Sequence, residues 1–150
     1  MKVLLQRVSR ASVSIDGKIT GEIGRGLLAL VGFGKSDTEK DIDWMSKKIA
    51  ELRIFSDSNS NMNQSVLDIG GEILIVSQFT LHANTRKGRR PSFVEAAPPE
   101  RAELLYDLFL EIVSHSGLSV QSGEFGAMMK VSLVNEGPVT VMVDSPSERN

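Results

Sequence analysis

A run of hydrogen-bonding side chains ends an apolar segment near the middle of the chain. Residues 73–76 predict a central strand, and Ser77-Gln78-Phe79-Thr80-Leu81 follows it. Polar groups placed among apolar side chains must find partners or line a pocket, because burying them unpaired costs free energy. A strand that simply emerges into solvent is the alternative.

A hydrolase triad is one chemistry that this segment could perform. Thr80 and His82 lie close in sequence, and either Asp68 or Asp107 could supply the acid that orients a histidine base. Thr80 and His82 would share a face only if the strand continued through both residues. The chain has no Gly-x-Ser-x-Gly elbow, which argues against a classical triad. An esterase that uses Thr80 and His82 is kept as an alternative hypothesis.

Four cations follow within five positions, namely Arg86, Lys87, Arg89 and Arg90. The whole chain carries 17 Lys+Arg against 19 Asp+Glu, a net charge of −2, which argues against coating nucleic acid by bulk charge. The local cluster suits phosphate contacts through charge-assisted hydrogen bonds. A solvated loop and an RNA-binding module without catalysis are the alternatives.

The third feature is Asn135-Glu136-Gly137-Pro138-Val139-Thr140, which separates two predicted strands. Gly-Pro is a turn signal, and a proline also admits a cis peptide bond at modest cost. An ordinary hairpin turn is the simplest interpretation. The functional alternative is a rigid wedge that presents backbone carbonyls and no side chain.

The predicted strands and helices around these segments indicate an α+β fold. We expect a strongly curved, largely antiparallel β-sheet or barrel with two main helices. A hairpin is expected around Asp16-Gly17, and residues 26–31 predict a strand covered on both faces. The form Ser36-x-x-Glu39 predicts a capping box at the start of the first helix. The second helix is expected to begin at Pro98-Pro99 and to end before Gly117.

The remaining segments carry weaker signals. Residues 57–64 are predicted to form a polar loop, strands are expected near 118–122, 128–134 and 139–143, and a frayed tail is expected from Asp144. His115 falls in the last turn of the second helix, where a cation complements the helix dipole, so we interpret it as structural.

Length and composition set further bounds. A chain of 150 residues that is 41% hydrophobic predicts one domain, residues 1–150, with an ordinary core. Cysteine is absent, so a thiolate nucleophile, Cys-bound zinc and disulfides are excluded. With two histidines a His-rich metal site is not expected, and we expect no cofactor. No apolar run reaches membrane-spanning length, so a cytoplasmic protein without membrane contact is expected.

Residues 77–81 and 135–140 resemble the two signature motifs of the D-aminoacyl-tRNA deacylases. The resemblance runs almost end to end and includes residues 6–13, 21–28 and 86–93. Three positions depart from the family pattern, since Glu136 replaces the usual Asp, and His82 and Asn84 replace a Tyr and a later Asp.

The resemblance implies hydrolysis of the ester that joins a D-amino acid to the 3′-terminal adenosine of tRNA. It also implies a homodimer with its active sites at the interface, where Gly137-Pro138, with a cis bond, enters the partner's pocket and rejects L-amino acids. Rejection by backbone atoms would tolerate many D side chains and would let achiral glycine through.

The resemblance also implies roles for individual residues. The backbone N–H groups of Phe79 and Thr80 would donate to the oxyanion, while Ser77 and Gln78 would hold the terminal ribose and the ester. Thr80 has no clear base, so assistance by the substrate 2′-OH is the preferred mechanism. Further contacts are expected from Met129 and Phe125 to the adenine, from Ala102 to the amino group, and from Arg7 to the Gly-Pro segment. Core packing of Met129 and Phe125, and a surface ion pair of Arg7, are the alternatives.

Overall fold

A computed structural model describes residues 1–146 of the protein. The strands are β1 (Lys2–Ile15), β2 (Lys18–Ile23), β3 (Gly26–Gly32), β4 (Phe55–Ser56), β5 (Met62–Gln64), β6 (Glu72–Ser77), β7 (Ser119–Ser122) and β8 (Lys130–Asp144). The helices are α1 (Glu39–Glu51) and α2 (Pro99–Ser114), and a 3₁₀ turn spans Phe79–His82.

Six of these strands form one strongly curved, nearly closed sheet in the order β2-β1-β3-β6-β7, with β8 paired along β1. The pairs that involve β1 are antiparallel, whereas β3–β6 and β6–β7 are parallel. The predicted α+β class with two helices is therefore confirmed, and the parallel pairs lie on the two sides of β6. The continuous apolar run of residues 26–31 suits β3, which has a parallel neighbour and is covered on both faces.

The Gly-Pro segment lies inside one long strand. Residues 140–144 of β8 pair with Lys2–Gln6, and residues 130–135 pair with Val8–Ser14, so residues 136–139 bulge out opposite Arg7. The hairpin interpretation of this segment is therefore wrong, because the chain continues in the same direction on both sides. We call residues 135–140 the Gly-Pro loop.

Helix α1 begins two residues later than the capping signal predicted. Thr38 is its N-cap, and the carboxylate of Asp41 accepts hydrogen bonds from the Thr38 N–H at 2.8 Å and hydroxyl at 3.1 Å. The expected capping box of Ser36 and Glu39 is therefore wrong. Thr38-x-x-Asp41 has a similar form, and it lies directly before the first helical residue.

Helix α2 has the predicted limits, with Pro99 in its first turn, His115 at its C-cap and Gly117 at a φ of +90°. Two other predictions need correction. Residues 57–64 include β5, which pairs with β4, and β8 extends through Asp144, whose carboxylate bonds Lys2 Nζ at 2.9 Å. The rest of the predicted tail, residues 147–150, lies outside the described residues.

Helix α2 packs on the central strand β6 through a polar contact. The Tyr106 hydroxyl donates to the Ile75 carbonyl oxygen at 3.0 Å, and the side chain is 2% exposed. Burial raises the pKa of Tyr106 to about 12, because the charged phenolate is disfavoured away from water. Across residues 1–146 no helix is long and apolar enough to cross a membrane.

Candidate active site

The segment at residues 77–81 leaves the sheet directly after the buried part of β6. Ser77 is half-buried, and the Gln78 N–H donates to the Val31 carbonyl oxygen at 2.7 Å, which ties the chain to the end of β3. The backbone then folds into the 3₁₀ turn. The strand therefore does not continue through His82, and the condition under which Thr80 and His82 would share a strand face is not met.

The start of this turn presents two unused backbone donors. The Gln78 carbonyl accepts from Leu81 N–H at 3.3 Å, and the Thr80 carbonyl accepts from Ala83 N–H at 3.0 Å. Within residues 1–146, no acceptor bonds the N–H groups of Phe79 and Thr80. Phe79 is 56% exposed. Two adjacent, accessible N–H donors can stabilise a negatively charged oxygen.

The side chains of this segment do not assemble a triad. Gln78 Nε2 donates to Thr80 Oγ1, and His82 Nε2 is buried without a hydrogen-bond partner among the described residues. No described carboxylate bonds His82 or Thr80. The base and acid that an esterase based on Thr80 and His82 requires are therefore not brought together.

The basic segment forms a loop that begins two residues after the 3₁₀ turn. Asn84 and Ser92 close it through two backbone hydrogen bonds of 2.8 and 2.9 Å, and Asn84 Oδ1 accepts from the Arg86 N–H at 3.0 Å. We call residues 85–91 the basic loop. Its four cations are exposed, and no carboxylate in the described part of the chain pairs with them.

An aromatic contact connects the basic loop to the turn. The rings of Phe79 and Phe93 meet edge to face, with their centroids 5.1 Å apart. Ser92 separates Phe93 from the basic loop, so the contact links the turn to the C-terminal end of this loop. This pair was not predicted from the sequence, and an aromatic residue just beyond a cation cluster was the available signal.

The Gly-Pro loop is held from both sides by side chains. Arg7 Nε donates to the Glu136 carbonyl and Arg7 Nη1 donates to the Ile54 carbonyl, both at 2.9 Å. Asn135 Oδ1 accepts from Val139 N–H at 2.7 Å, and Asn135 Nδ2 donates to Thr140 Oγ1 at 2.8 Å. These bonds fix the backbone on which Gly137 and Pro138 stand exposed, with a cis bond between them.

Arg7 therefore lies where the resemblance implied, against the Gly-Pro loop. It forms no ion pair with another described residue. The bracing role of Asn135 was not foreseen, although a short amide side chain two residues before Gly-Pro is a typical partner for local backbone groups.

Three further residues of the expected site lie close to the core. Phe125 is half-buried, with its ring centroid 5.7 Å from that of Tyr106. Met129 packs against a cluster of buried residues that includes Val13 and Leu74. Ala102 is 6% exposed in the first turns of α2. Their contacts with a substrate stay predictions.

One chain holds the two motif segments apart. In the sheet, β1 and β3 lie between β6, which carries the 3₁₀ turn, and β8, which carries the Gly-Pro loop. Among the described residues no hydrogen bond or ring contact joins the two segments. No three acidic or histidine side chains in residues 1–146 cluster as metal ligands would.

Known proteins are similar to this chain along nearly its whole length. The family described as "D-Tyr-tRNA(Tyr) deacylase" matches residues 4–144. A D-aminoacyl-tRNA deacylase of Bacillus thuringiensis is 57% identical over 145 residues, 97% of this chain and 99% of that protein. A protein of the same name from Roseiflexus castenholzii is 55% identical over 145 residues, 97% of this chain and 92% of that protein.

Two solved structures superpose closely. The "c-Myc DNA Unwinding Element Binding Protein" has a TM-score of 0.93 at 43% identity, with 98% of this chain and 100% of that chain covered. A probable eukaryotic D-amino acid tRNA deacylase has a TM-score of 0.83, covers 95% of this chain and 97% of that chain, and at 20% identity shows the fold alone.

The matched family and the relatives place the chain in one class of enzyme, the hydrolases of ester bonds. The chain belongs to the D-Tyr-tRNA(Tyr) deacylase family. It thus has D-aminoacyl-tRNA deacylase activity, with aminoacyl-tRNA as its substrate and translation quality control as its role. An RNA-binding module without catalysis is thereby set aside.

Proposed function

We propose that the enzyme rejects L-aminoacyl-tRNA sterically, through the backbone of Gly137 and Pro138, and so acts in chiral proofreading. The observation that carries this proposal is the exposed Gly-Pro loop, held by Arg7 and Asn135. Backbone atoms held in the volume that an L side chain needs exclude that side chain. A D side chain at the same centre points the other way, toward solvent.

This mechanism of selection also sets the substrate range. The loop excludes an L side chain and makes no contact with a D side chain, so many D-amino acids are accepted. Glycine has no Cβ and meets no obstacle, so glycyl-tRNA is a further substrate of the proposed site.

The hydrolysis itself is assigned to the segment after β6. Ser77 and Gln78 hold the terminal ribose and the ester, and the N–H groups of Phe79 and Thr80 donate to the oxyanion that forms when water attacks the carbonyl. Their exposure and their lack of an acceptor within residues 1–146 support this role. Met129 and Phe125 pack on the adenine, and Ala102 contacts the amino group.

The attacking water is oriented by the 2′-OH of the substrate. The Thr80 hydroxyl already accepts a hydrogen bond from Gln78 Nε2, and no described base contacts it. A Thr80→Val variant is therefore expected to keep nearly full activity. A loss of about a hundredfold or more, the usual contribution of positioned general-base catalysis, would instead make Thr80 a chemical participant.

The working enzyme is a homodimer in the cytoplasm, with residues 1–150 of each copy forming one deacylase domain. The strands β1 and β3 between the two motif segments support a second copy, because a neighbouring chain can bring its Gly-Pro loop to the 3₁₀ turn. Arg86, Lys87, Arg89 and Arg90 contact tRNA phosphates beside the terminal adenosine, where charge-assisted hydrogen bonds position the acceptor end.

Hydrolysis of D-Tyr-tRNA, L-Tyr-tRNA and Gly-tRNA, measured side by side, tests the proposal. We expect release of D-Tyr and glycine and no release of L-Tyr above the uncatalysed rate. Equal rates for the two tyrosyl esters would contradict steric rejection. Protection of glycyl-tRNA alongside fast D-Tyr release would show that the site recognises the D side chain itself.

A further inference from the structure

A groove of about 410 Å³ lies on the exposed side of α1 and uses none of the residues assigned to the active site. Its lining is Trp44, Lys47, Lys48, Glu51, Leu52 and Arg53. Trp44 is half-buried and packs against the main core, whereas both lysines and Arg53 are exposed. The groove thus combines one half-buried aromatic ring with three exposed cationic side chains.

The groove carries an excess of positive charge. Lys48 Nζ lies 5.2 Å from the centroid of the Trp44 ring, and Arg53 Nη1 donates to Asn63 Oδ1 at 3.3 Å. Among the described residues no carboxylate lies within ion-pair distance of Lys47, Lys48 or Arg53. The groove therefore faces solvent with three cations against the carboxylate of Glu51.

A second carboxylate lies near Arg53 and is held by other groups. Hydrogen bonds from Ser65 are the main cause of the lowered pKa of Asp68, and the charge of Arg53 adds to them. Asp68 Oδ2 accepts a hydrogen bond from the Ser65 N–H at 2.8 Å, so this oxygen is already bonded within residues 65–68.

The groove ends beside the Gly-Pro loop. Arg53 precedes Ile54, whose carbonyl oxygen bonds Arg7 Nη1, and Nε of the same guanidinium bonds the Glu136 carbonyl. The side chain of Arg7 therefore lies between the groove and the Gly-Pro loop, the segment that enters the partner's site in the proposed dimer.

We propose that this groove binds the phosphate backbone of the tRNA whose terminal adenosine occupies the partner's site. The inference rests on the proposed function, because it places the groove at the rim of that site. Lysine and arginine side chains neutralise phosphates and release counterions, and an aromatic ring among them suits a nucleic-acid strand. Two of the six lining residues are lysines, and lysine is depleted at protein–protein interfaces, so this lining favours an anionic strand over a protein partner.

Removal of the lysine charges tests the inference through the salt dependence of binding. Deacylated tRNA is titrated onto Lys47→Gln, Lys48→Gln and the double variant, and exposed Lys18→Gln in β2 is the control for one lost charge. We expect the slope of log Kd against log salt to fall by about 1 for each groove lysine and not for Lys18. With D-Tyr-tRNA the double variant should raise KM and keep kcat. Slopes equal to that of the control would overturn the inference.

Trp44 is the only tryptophan of the chain, so its fluorescence reports on the groove directly. We expect saturating deacylated tRNA to protect Trp44 from quenching by acrylamide, and adenosine alone to leave quenching unchanged. Unchanged quenching with bound tRNA would overturn the inference and leave the groove to a partner of another class. Protection by adenosine would also overturn it, because the groove would then belong to the terminal-adenosine site.

The groove inference and the proposed steric rejection can be contradicted independently of each other. Because deacylated tRNA is the probe, the groove is tested even if the wild-type protein hydrolyses both tyrosyl enantiomers. If the protein releases D-Tyr alone while tRNA neither protects Trp44 nor responds to the lysines, the groove inference fails and steric rejection stands.

Discussion

The two motif segments of this enzyme are held in place by different means. The 3₁₀ turn follows β6, whose residues Ile73–Val76 are buried, and it is anchored by a backbone hydrogen bond to β3. The Gly-Pro loop bulges from β8, which pairs with β1, and two polar side chains, Arg7 and Asn135, hold it. The first segment depends on the core, whereas the second depends on a few local hydrogen bonds.

Because of this difference, substitutions beneath the 3₁₀ turn should affect the stability of the fold, and substitutions in the Gly-Pro loop should affect selectivity between substrates. A change beneath the 3₁₀ turn must disturb the packing of the central strands, so it should unfold the protein before it alters the reaction. A change in the Gly-Pro loop touches exposed atoms, so it should alter which substrates are accepted while the protein stays folded.

The largest expected effect is on the strands beneath the turn. A Cβ added at Gly26 would lie 1.8 Å from the Glu72 carbonyl oxygen of the paired strand, which is backbone and cannot move aside cheaply. Gly26→Ala should lower the free energy of unfolding by about 3 kcal/mol or more, measured by urea denaturation. Gly24→Ala is the matched control, because its Cβ would meet only a flexible Glu72 side-chain oxygen at 3.4 Å. Equal stability of the two variants would contradict the tight approach of β3 and β6.

The next effect concerns the Gly-Pro loop. Gly137 has a φ of +139°, and an added Cβ would lie 2.9 Å from Val139 Cγ2 and 3.0 Å from Arg7 Nη2. Gly137→Ala should shift the loop and lower the ratio of kcat/KM for D-Tyr-tRNA over L-Tyr-tRNA about tenfold or more, equivalent to about 1.4 kcal/mol. Gly17→Ala, also at positive φ but with no neighbour within 4 Å, should keep the ratio. An unchanged ratio in Gly137→Ala would argue against rejection by this backbone.

A smaller effect is expected in the basic loop, which the turn holds through Phe79 and Phe93. Arg89→Ala should weaken tRNA binding and reduce the slope of log Kd against log salt by about 1, because one phosphate contact is lost. Arg89→Lys keeps the charge and should keep most of the slope. If Arg89→Ala binds with the wild-type slope, the basic loop is a solvated surface and not a tRNA contact.

The smallest effect lies in the scaffold, at Tyr106. Tyr106→Phe should cost about 1 kcal/mol of unfolding free energy, since the Ile75 carbonyl keeps its bond from Gly123 N–H at 3.1 Å. Folding raises the pKa of Tyr106 from 10.0 to about 12, so the neutral phenol stabilises the fold below pH 10 and this contribution is lost as the pH rises through 12. Tyr106 is the only tyrosine, so tyrosinate absorbance measures it directly. A midpoint near pH 10 in the folded protein would contradict its burial.

The sequence predicted the parts of the fold that carry strong local signals. Asp16 and Gly17 adopt positive φ in the turn between β1 and β2, and Pro99 and Gly117 bound α2 as expected. The parallel pairing of β3 with β6 was not predictable, because an apolar run is compatible with any strand covered on both faces. The β4–β5 pair was missed because its strands are too short for an alternating pattern.

The sequence indicates which segments are candidates for the site, and it does not indicate how their residues are arranged. The polar segment, the cations and the Gly-Pro sequence all stand out by residue type, yet local spacing does not show that the chain enters a 3₁₀ turn after Gln78 and leaves Phe79 exposed. The contacts of Phe93 and Asn135 depend on how the chain folds back on itself, which local spacing does not contain.

A mixed dimer tests most directly the claim that the two segments serve one site from two chains. Gln78→Ala should abolish hydrolysis in its own site, and Gly137→Ala should impair selection by its own loop. In a dimer with one chain of each kind, purified through two different C-terminal tags, the intact turn of one chain receives the intact loop of the other. We expect this dimer to hydrolyse D-Tyr-tRNA and to reject L-Tyr-tRNA as the wild type does. Hydrolysis of both esters would show that each loop serves its own chain, and it would contradict the shared site.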